Sequence, residues 1–114
     1  MGGMDWQWWA EVGQHLEDEE RMSNAGKRYM SKVAEQGCSL CRVIGYDDTP
    51  AEVHHIRSGQ GAAQRASDFL VIPLCPEHHR GTHGIHGDRE AFRNANVSEL
   101  DLLADTIAHV IGRR

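Results

Sequence analysis

A chain of 114 residues is one domain's worth, able to bury a modest core but too short for two independent ones. Its 39% hydrophobic and 25% charged residues place it among folded globular chains and exclude disordered and membrane-embedded classes. The net charge of −5 is uneven: residues 1–20 hold six acids and no Lys or Arg, leaving 12 bases against 11 acids in residues 21–114. The acidic total therefore does not exclude a polyanionic partner. No apolar run approaches the roughly 20 residues that span a bilayer. The start, "MGGMDWQWWAEVGQH", lacks a basic stretch followed by an apolar one. The expectation is a cytoplasmic protein with no membrane partner.

Residues 1–36 read as an N-terminal helical segment, poor in strand formers and broken into two pieces near Ser23 to Gly26. Tyr29, Met30 and Val33 form the inward face of the second piece, with Lys27, Arg28 and Lys32 mostly elsewhere. Trp6, Trp8 and Trp9 are read as packing anchors. From Cys38 to Leu74 the texture changes to short apolar runs between turn residues. "RVIGY" and "AEVHHI" flank "DDTP" as two strands of a hairpin, "SGQGAAQ" is a loop, and "FLVIPL" is an extended segment running into Cys75. Gly81, Gly84 and Gly87 disfavour helix before Asp88, where "DREAF" starts one. In residues 98–114, Ser98 and Asp101 form a capping pair, and Leu102, Leu103, Ile107 and Val110 supply the apolar face of a C-terminal helix.

Chemistry concentrates in the middle of the chain. Cys38-x-x-Cys41 and Cys75-x-x-His78 are two knuckles of the spacing that closes a tetrahedral shell on zinc. A domain this small gains folding free energy from such a staple. An odd count of three cysteines argues against a disulfide framework. Five further histidines then remain in two clusters, His54 and His55 in one, His79, His83 and His86 in the other, and together they imply a second site. Neighbours on a strand point to opposite sides, so His54 and His55 play different roles: one binds metal and the other, neutral near pH 7, takes a proton from water.

"CSLC", "HHI" and "IPLCPEHH", in that order and followed by a glycine-rich histidine loop and "HGDREAF", resemble the HNH nucleases with a ββα-metal motif. Within them the resemblance is closest to the phage recombination-enhancement, RecA-dependent nucleases, and it covers roughly residues 28–95. It implies that His54 binds the catalytic metal, that His55 activates water, and that His79 is a second ligand. A third comes from His83 or His86; colicin-type relatives favour His83, "HGDREAF" favours His86, and the lean is to His83 with both held. Many HNH members carry an asparagine where this chain has Leu70. Asp68, beside Ser67, is the candidate to orient His55 in its place.

Arg57, Arg65 and Arg80 are candidates to grip the DNA backbone, and Arg57 is the first choice as an active-site arginine because it follows His55 by two on a strand. The reading is an α+β fold, a small zinc-stapled ββα-metal core over residues 37–97 with the helical segment 1–36 before it and the helix 98–114 after it. Its activity is hydrolysis of DNA phosphodiesters with Mg2+, Mn2+ or Zn2+ at the histidines and structural Zn2+ at the knuckles. The setting is phage or prophage recombination, with a recombinase filament as a further partner. The competing readings are a non-catalytic zinc module binding nucleic acid or protein, and a hydrolase of another substrate, disfavoured because no H-E-x-x-H pairing is present.

Overall fold

The computed structural model describes residues 16–46, 49–61 and 64–112, with side chains from Asn24 onward. The expectation for Trp6, Trp8 and Trp9 lies outside the described residues.

Helix α1 (Leu16–Glu35) runs unbroken through Ser23 to Gly26, where the sequence reading placed a break. Gly26 serves packing instead. It is buried, and a Cβ built on it would lie 2.9 Å from the Cβ of Asp68, so the helix needs a residue without a side chain to pass that segment. Val33 is fully buried, Tyr29 and Met30 are half-buried, and Lys27, Arg28 and Lys32 face solvent, as helical spacing requires.

"RVIGY" is not a strand. Helix α2 (Ser39–Val43) takes its first two residues and a turn follows at Ile44 and Gly45, because Cys38 caps the helix: its Sγ accepts the Cys41 N–H at 3.3 Å. A Cys-x-x-Cys that brings both sulfurs to one side winds the chain into a helical turn, and that overrides the β-branched residues that follow. The strand partner is "FLVIPL" instead. Strands β1 (Glu52–His55) and β2 (Val71–Leu74) pair antiparallel, Glu52 opposite Leu74 and His55 opposite Val71. All four β2 residues are buried because α1, α2 and the C-terminal helix pack on that strand, which explains its continuous apolar run. Ser39 Oγ donates to the Pro73 carbonyl at 3.0 Å and fastens the first knuckle to β2.

Helix α3 (Pro76–Arg80) follows directly, with proline at its start, where the lost N–H is not missed. Helix α4 (Glu90–Ala95) begins two residues later than expected, after Arg89 in the left-handed region at φ 63°. Helix α5 (Glu99–Val110) has the expected capping box: Ser98 Oγ accepts from the Asp101 N–H and Asp101 accepts from the Ser98 N–H. Its inner face differs in one position. Thr106 is fully buried and returns its hydroxyl to the Leu102 carbonyl at 2.7 Å, while Ile107 is 41% exposed. Leu102, Leu103, Thr106 and Val110 form a stripe centred near Thr106, and Ile107 falls about 100° to its side.

The fold is thus a mixed one, a two-stranded sheet wrapped by helices around Leu40, Ile72, Leu74, Ile85, Phe92 and Leu102. Among the described residues no helix is long and apolar enough to cross a membrane.

Candidate metal centres

The two knuckles meet. His78 Nδ1 lies 3.5 Å from Cys38 Sγ, 3.5 Å from Cys41 Sγ and 3.4 Å from Cys75 Sγ, and the sulfurs of Cys41 and Cys75 are 3.8 Å apart. A tetrahedron with metal–sulfur bonds of about 2.3 Å and a metal–nitrogen bond of about 2.0–2.1 Å has S···S edges near 3.8 Å and S···N edges near 3.5 Å. The four atoms therefore have the size of a zinc shell, and this Cys3His group can hold a metal ion compatible with structural zinc. Burial pushes the Cys41 thiol up to about 12, with Cys38 and Cys75 adding to the shift against a lowering bond from Thr49; burial raises Cys75 too. Burial also lowers the imidazolium of His78, which favours the neutral ring that ligation needs. Cys41 and Cys75 so placed resist ionising, and a cation among the sulfurs would offset that resistance.

The second histidine set is His54, His79 and His86. Their ligand atoms lie within 4.8 Å of one another, and the ring centroids are 5.1 Å (His54 to His79), 5.0 Å (His54 to His86) and 4.8 Å (His79 to His86) apart. Strand β1 contributes His54, helix α3 His79, and the loop after it His86. That loop is tightly folded: a Cβ on Gly87 would lie 2.2 Å from the Thr82 carbonyl oxygen, so glycine alone fits beside His86. His83, towards which the sequence leaned, does not join. It is half exposed and pairs with Asp88 at 3.1 Å and Glu90 at 3.0 Å, and the Asp88 carboxylate raises it. His86 is the third member because the loop turns back there, its N–H bonding the His79 carbonyl at 3.0 Å.

Two of the three rings are held by carboxylates. His79 Nδ1 lies 2.7 Å from Glu52 Oε1, and His54 Nε2 lies 2.6 Å from Glu99 Oε2. An imidazole nitrogen that donates to a carboxylate leaves the other with a lone pair, which is Nε2 of His79 and Nδ1 of His54. Arg80 and His79 together bring the Glu52 carboxyl down to about 2. Burial of Glu99 would raise its carboxyl, but hydrogen bonds from His54, Arg57 and Ser58 outweigh it and bring it down to about 2. His86 has no such partner among the described residues; burial, with the neighbouring His54, His79 and Arg89, lowers its imidazolium. Three nitrogens from three elements with an open side suit a divalent ion.

His55 stands apart from this set. Its Nε2 lies 2.9 Å from Asp68 Oδ1, so Asp68 takes the position that the sequence assigned to it, while Ser67 Oγ accepts the Phe69 N–H. Arg65 Nη2 is 3.1 Å from both His55 Nε2 and Asp68 Oδ1. The His55 contact, then Arg65, hold the Asp68 carboxyl below its ordinary value. With Nε2–H directed at Asp68, Nδ1 of His55 is the nitrogen able to accept a proton.

The arginines divide. Arg57 is tied to the loop after it, donating to the carbonyls of Gln64 at 2.5 Å and Gly61 at 3.0 Å. It braces the segment that carries Arg65 and does not reach out from the strand face. Arg80 lies against Glu52 at 2.7 Å. Arg65, 67% exposed and touching His55, is the arginine placed beside that ring.

Glu52 and Glu99 escaped the sequence reading. For Glu52 a signal was there, since positions 52 and 54 share one strand face. For Glu99 there was none: a glutamate at the start of a capped helix is the ordinary occupant of that place.

The family described as "Protein of unknown function (DUF968)" matches residues 13–113. Among curated proteins, "Uncharacterized protein YdfU" of Escherichia coli (strain K12) is 32% identical over 77 residues, covering 68% of this chain and 20% of the relative. The chain thus spans about a fifth of that relative's length. No solved structure matches the chain.

Proposed function

The chain belongs to the DUF968 family, and we propose that it is an HNH-type endonuclease hydrolysing DNA phosphodiester bonds. The observation that carries this reading is the division of labour across one strand step: His54 converges with His79 and His86, while its neighbour His55 pairs with Asp68. His54, His79 and His86 would hold a divalent ion, Mg2+, Mn2+ or Zn2+, and structural Zn2+ would sit among Cys38, Cys41, Cys75 and His78. When bound at the histidines, the divalent ion supplies Lewis-acid stabilisation of the scissile phosphate and the leaving oxygen. His55 accepts a proton from water at Nδ1, and Asp68 keeps its hydrogen on Nε2 and stabilises the imidazolium that forms. Arg65 faces solvent beside His55 and offsets charge on the phosphate. The ββα-metal core corresponds to β1, β2 and α3 in this reading, and a phage or prophage setting with a recombinase as partner comes from the resemblance.

Incubation of the full chain with supercoiled plasmid and Mn2+ or Mg2+ tests it. Nicking is expected, weakening steeply as salt rises. His55→Ala should slow nicking by about 10²- to 10⁴-fold while leaving zinc content and DNA affinity near parental. His55→Ala nicking at the parental rate would remove His55 as the base, and a wild-type chain that binds DNA and zinc without nicking would leave the non-catalytic zinc module as the answer.

A further inference from the structure

Glu99 is the first residue of α5 after the Ser98 cap, yet its side chain is only 3% exposed. A glutamate in that place ordinarily faces solvent and interacts with the helix dipole. Here the carboxylate turns inward and is saturated. Oε2 receives His54 Nε2 at 2.6 Å and the Arg57 N–H at 2.9 Å. Oε1 receives the Arg57 N–H at 3.0 Å, the Ser58 N–H at 2.9 Å and the Ser58 hydroxyl at 2.9 Å. Burying an ionised carboxylate is unfavourable unless it is so compensated. Two of these donors are backbone N–H groups of the segment that continues β1, so the carboxylate is locked in position relative to the strand that carries His54.

We propose that Glu99 is a positioning residue for the histidine cluster: it fixes His54 with its hydrogen on Nε2, and so leaves Nδ1 as the nitrogen that binds a divalent ion. The inference rests on reading His54, His79 and His86 as a metal-holding set. The chemistry follows from the donor count. An ionised carboxylate only accepts, so the 2.6 Å contact requires a hydrogen on His54 Nε2. A neutral imidazole has one N–H, and Nδ1 is then bare. Glu99 is 45 residues beyond His54 in the chain, so the C-terminal helix becomes part of the site.

Glutamine in place of Glu99 cannot satisfy the same donors. If its oxygen faces Ser58, its NH2 faces His54 Nε2 and drives the hydrogen to Nδ1, blocking the ligand atom. If it is flipped, the NH2 meets the two Ser58 donors. Glu99→Gln should therefore move the His54 tautomer toward Nδ1–H and weaken Mn2+ binding by about 10- to 100-fold. The full zinc-loaded chain is used, with imidazole 15N spectra read without Mn2+ near pH 8 and Mn2+ affinity read by calorimetry. Asp105→Asn, which disturbs the Arg42 ion pair on the same helix, should change neither.

A wild-type His54 carrying its hydrogen on Nδ1 overturns the proposal without any variant, as does a folded Glu99→Gln chain with parental Mn2+ affinity. If Glu99→Gln does not fold, the wild-type tautomer and Ser58→Ala decide. Ser58→Ala keeps the carboxylate and should keep Nε2–H and most Mn2+ affinity; a parental tautomer lost in Ser58→Ala also overturns the role. A chain that binds Mn2+ with His54 as Nε2–H yet never nicks DNA sinks the nuclease reading and leaves the positioning role standing. A chain that nicks DNA with unaltered Mn2+ affinity in Glu99→Gln does the reverse.

Discussion

Substituting Gly26 by alanine tests how tightly α1 is joined to the His55–Asp68 pair. The new methyl would lie 2.9 Å from Asp68 Cβ and 3.0 Å from its Oδ2. Non-bonded carbons rest about 3.5–4.0 Å apart, so the overlap is roughly 0.6–1.1 Å. It falls on the root of the Asp68 side chain, and rotating the carboxylate away does not relieve it. Alanine gains about 1 kcal/mol in helix propensity over glycine. Overpacking of this kind costs about 1–3 kcal/mol. The net effect runs from neutral to about 2 kcal/mol destabilising, a fall in Tm of up to about 10 °C for a domain of this size. The larger consequence is functional. Asp68 must shift and His55 Nε2 loses its acceptor at 2.9 Å; on the proposed mechanism a displacement approaching 1 Å there costs about 10²-fold in rate. Thermal melting by circular dichroism and plasmid nicking, each beside the exposed control Lys27→Ala, provide the two measurements. A Gly26→Ala chain that melts higher than the parent and nicks at its rate would refute the close approach, and with it the link from α1 through Asp68 to His55.

Cys38→Ser and Cys75→Ser should each unfold the chain or cut its melting temperature sharply, and dialysis of the parent against a mild chelator should retain about one zinc per chain; an unchanged melt or a folded chain retaining none would show the shell misassigned. Stability should also fall at low pH. The Glu99 carboxyl is depressed from 4.5 to about 2, so its contribution is fully present above the ordinary carboxylate range and is lost as pH drops from about 4.5 toward 2. That contribution is on the order of 3 kcal/mol, read as a urea midpoint falling across this window and flattened there in Glu99→Gln; parallel curves for the two chains would count against it.

What the sequence determined alone was whatever spacing encodes over a few residues. Cys-x-x-Cys and Cys-x-x-His each put two ligands on one turn, Ser98 and Asp101 close a capping box, and strand alternation separates His54 from His55. These are local consequences of backbone geometry and hold wherever the segment sits. Tertiary structure decided the rest. "RVIGY" carries strand-forming residues, yet the knuckle winds its start into helix and β1 takes β2 as its partner instead. His83 and His86 stand in the same glycine-rich loop with the same chemistry, and only the path of that loop over α3 brings His86 to His54 and His79. Gly26 looks like a helix breaker until Asp68 is packed against it, and Glu99 looks like a helix-start residue until α5 docks and buries it on His54. Each of these depends on a contact between segments distant in the chain, and side-chain spacing along one segment has no information about what another segment will bring to it.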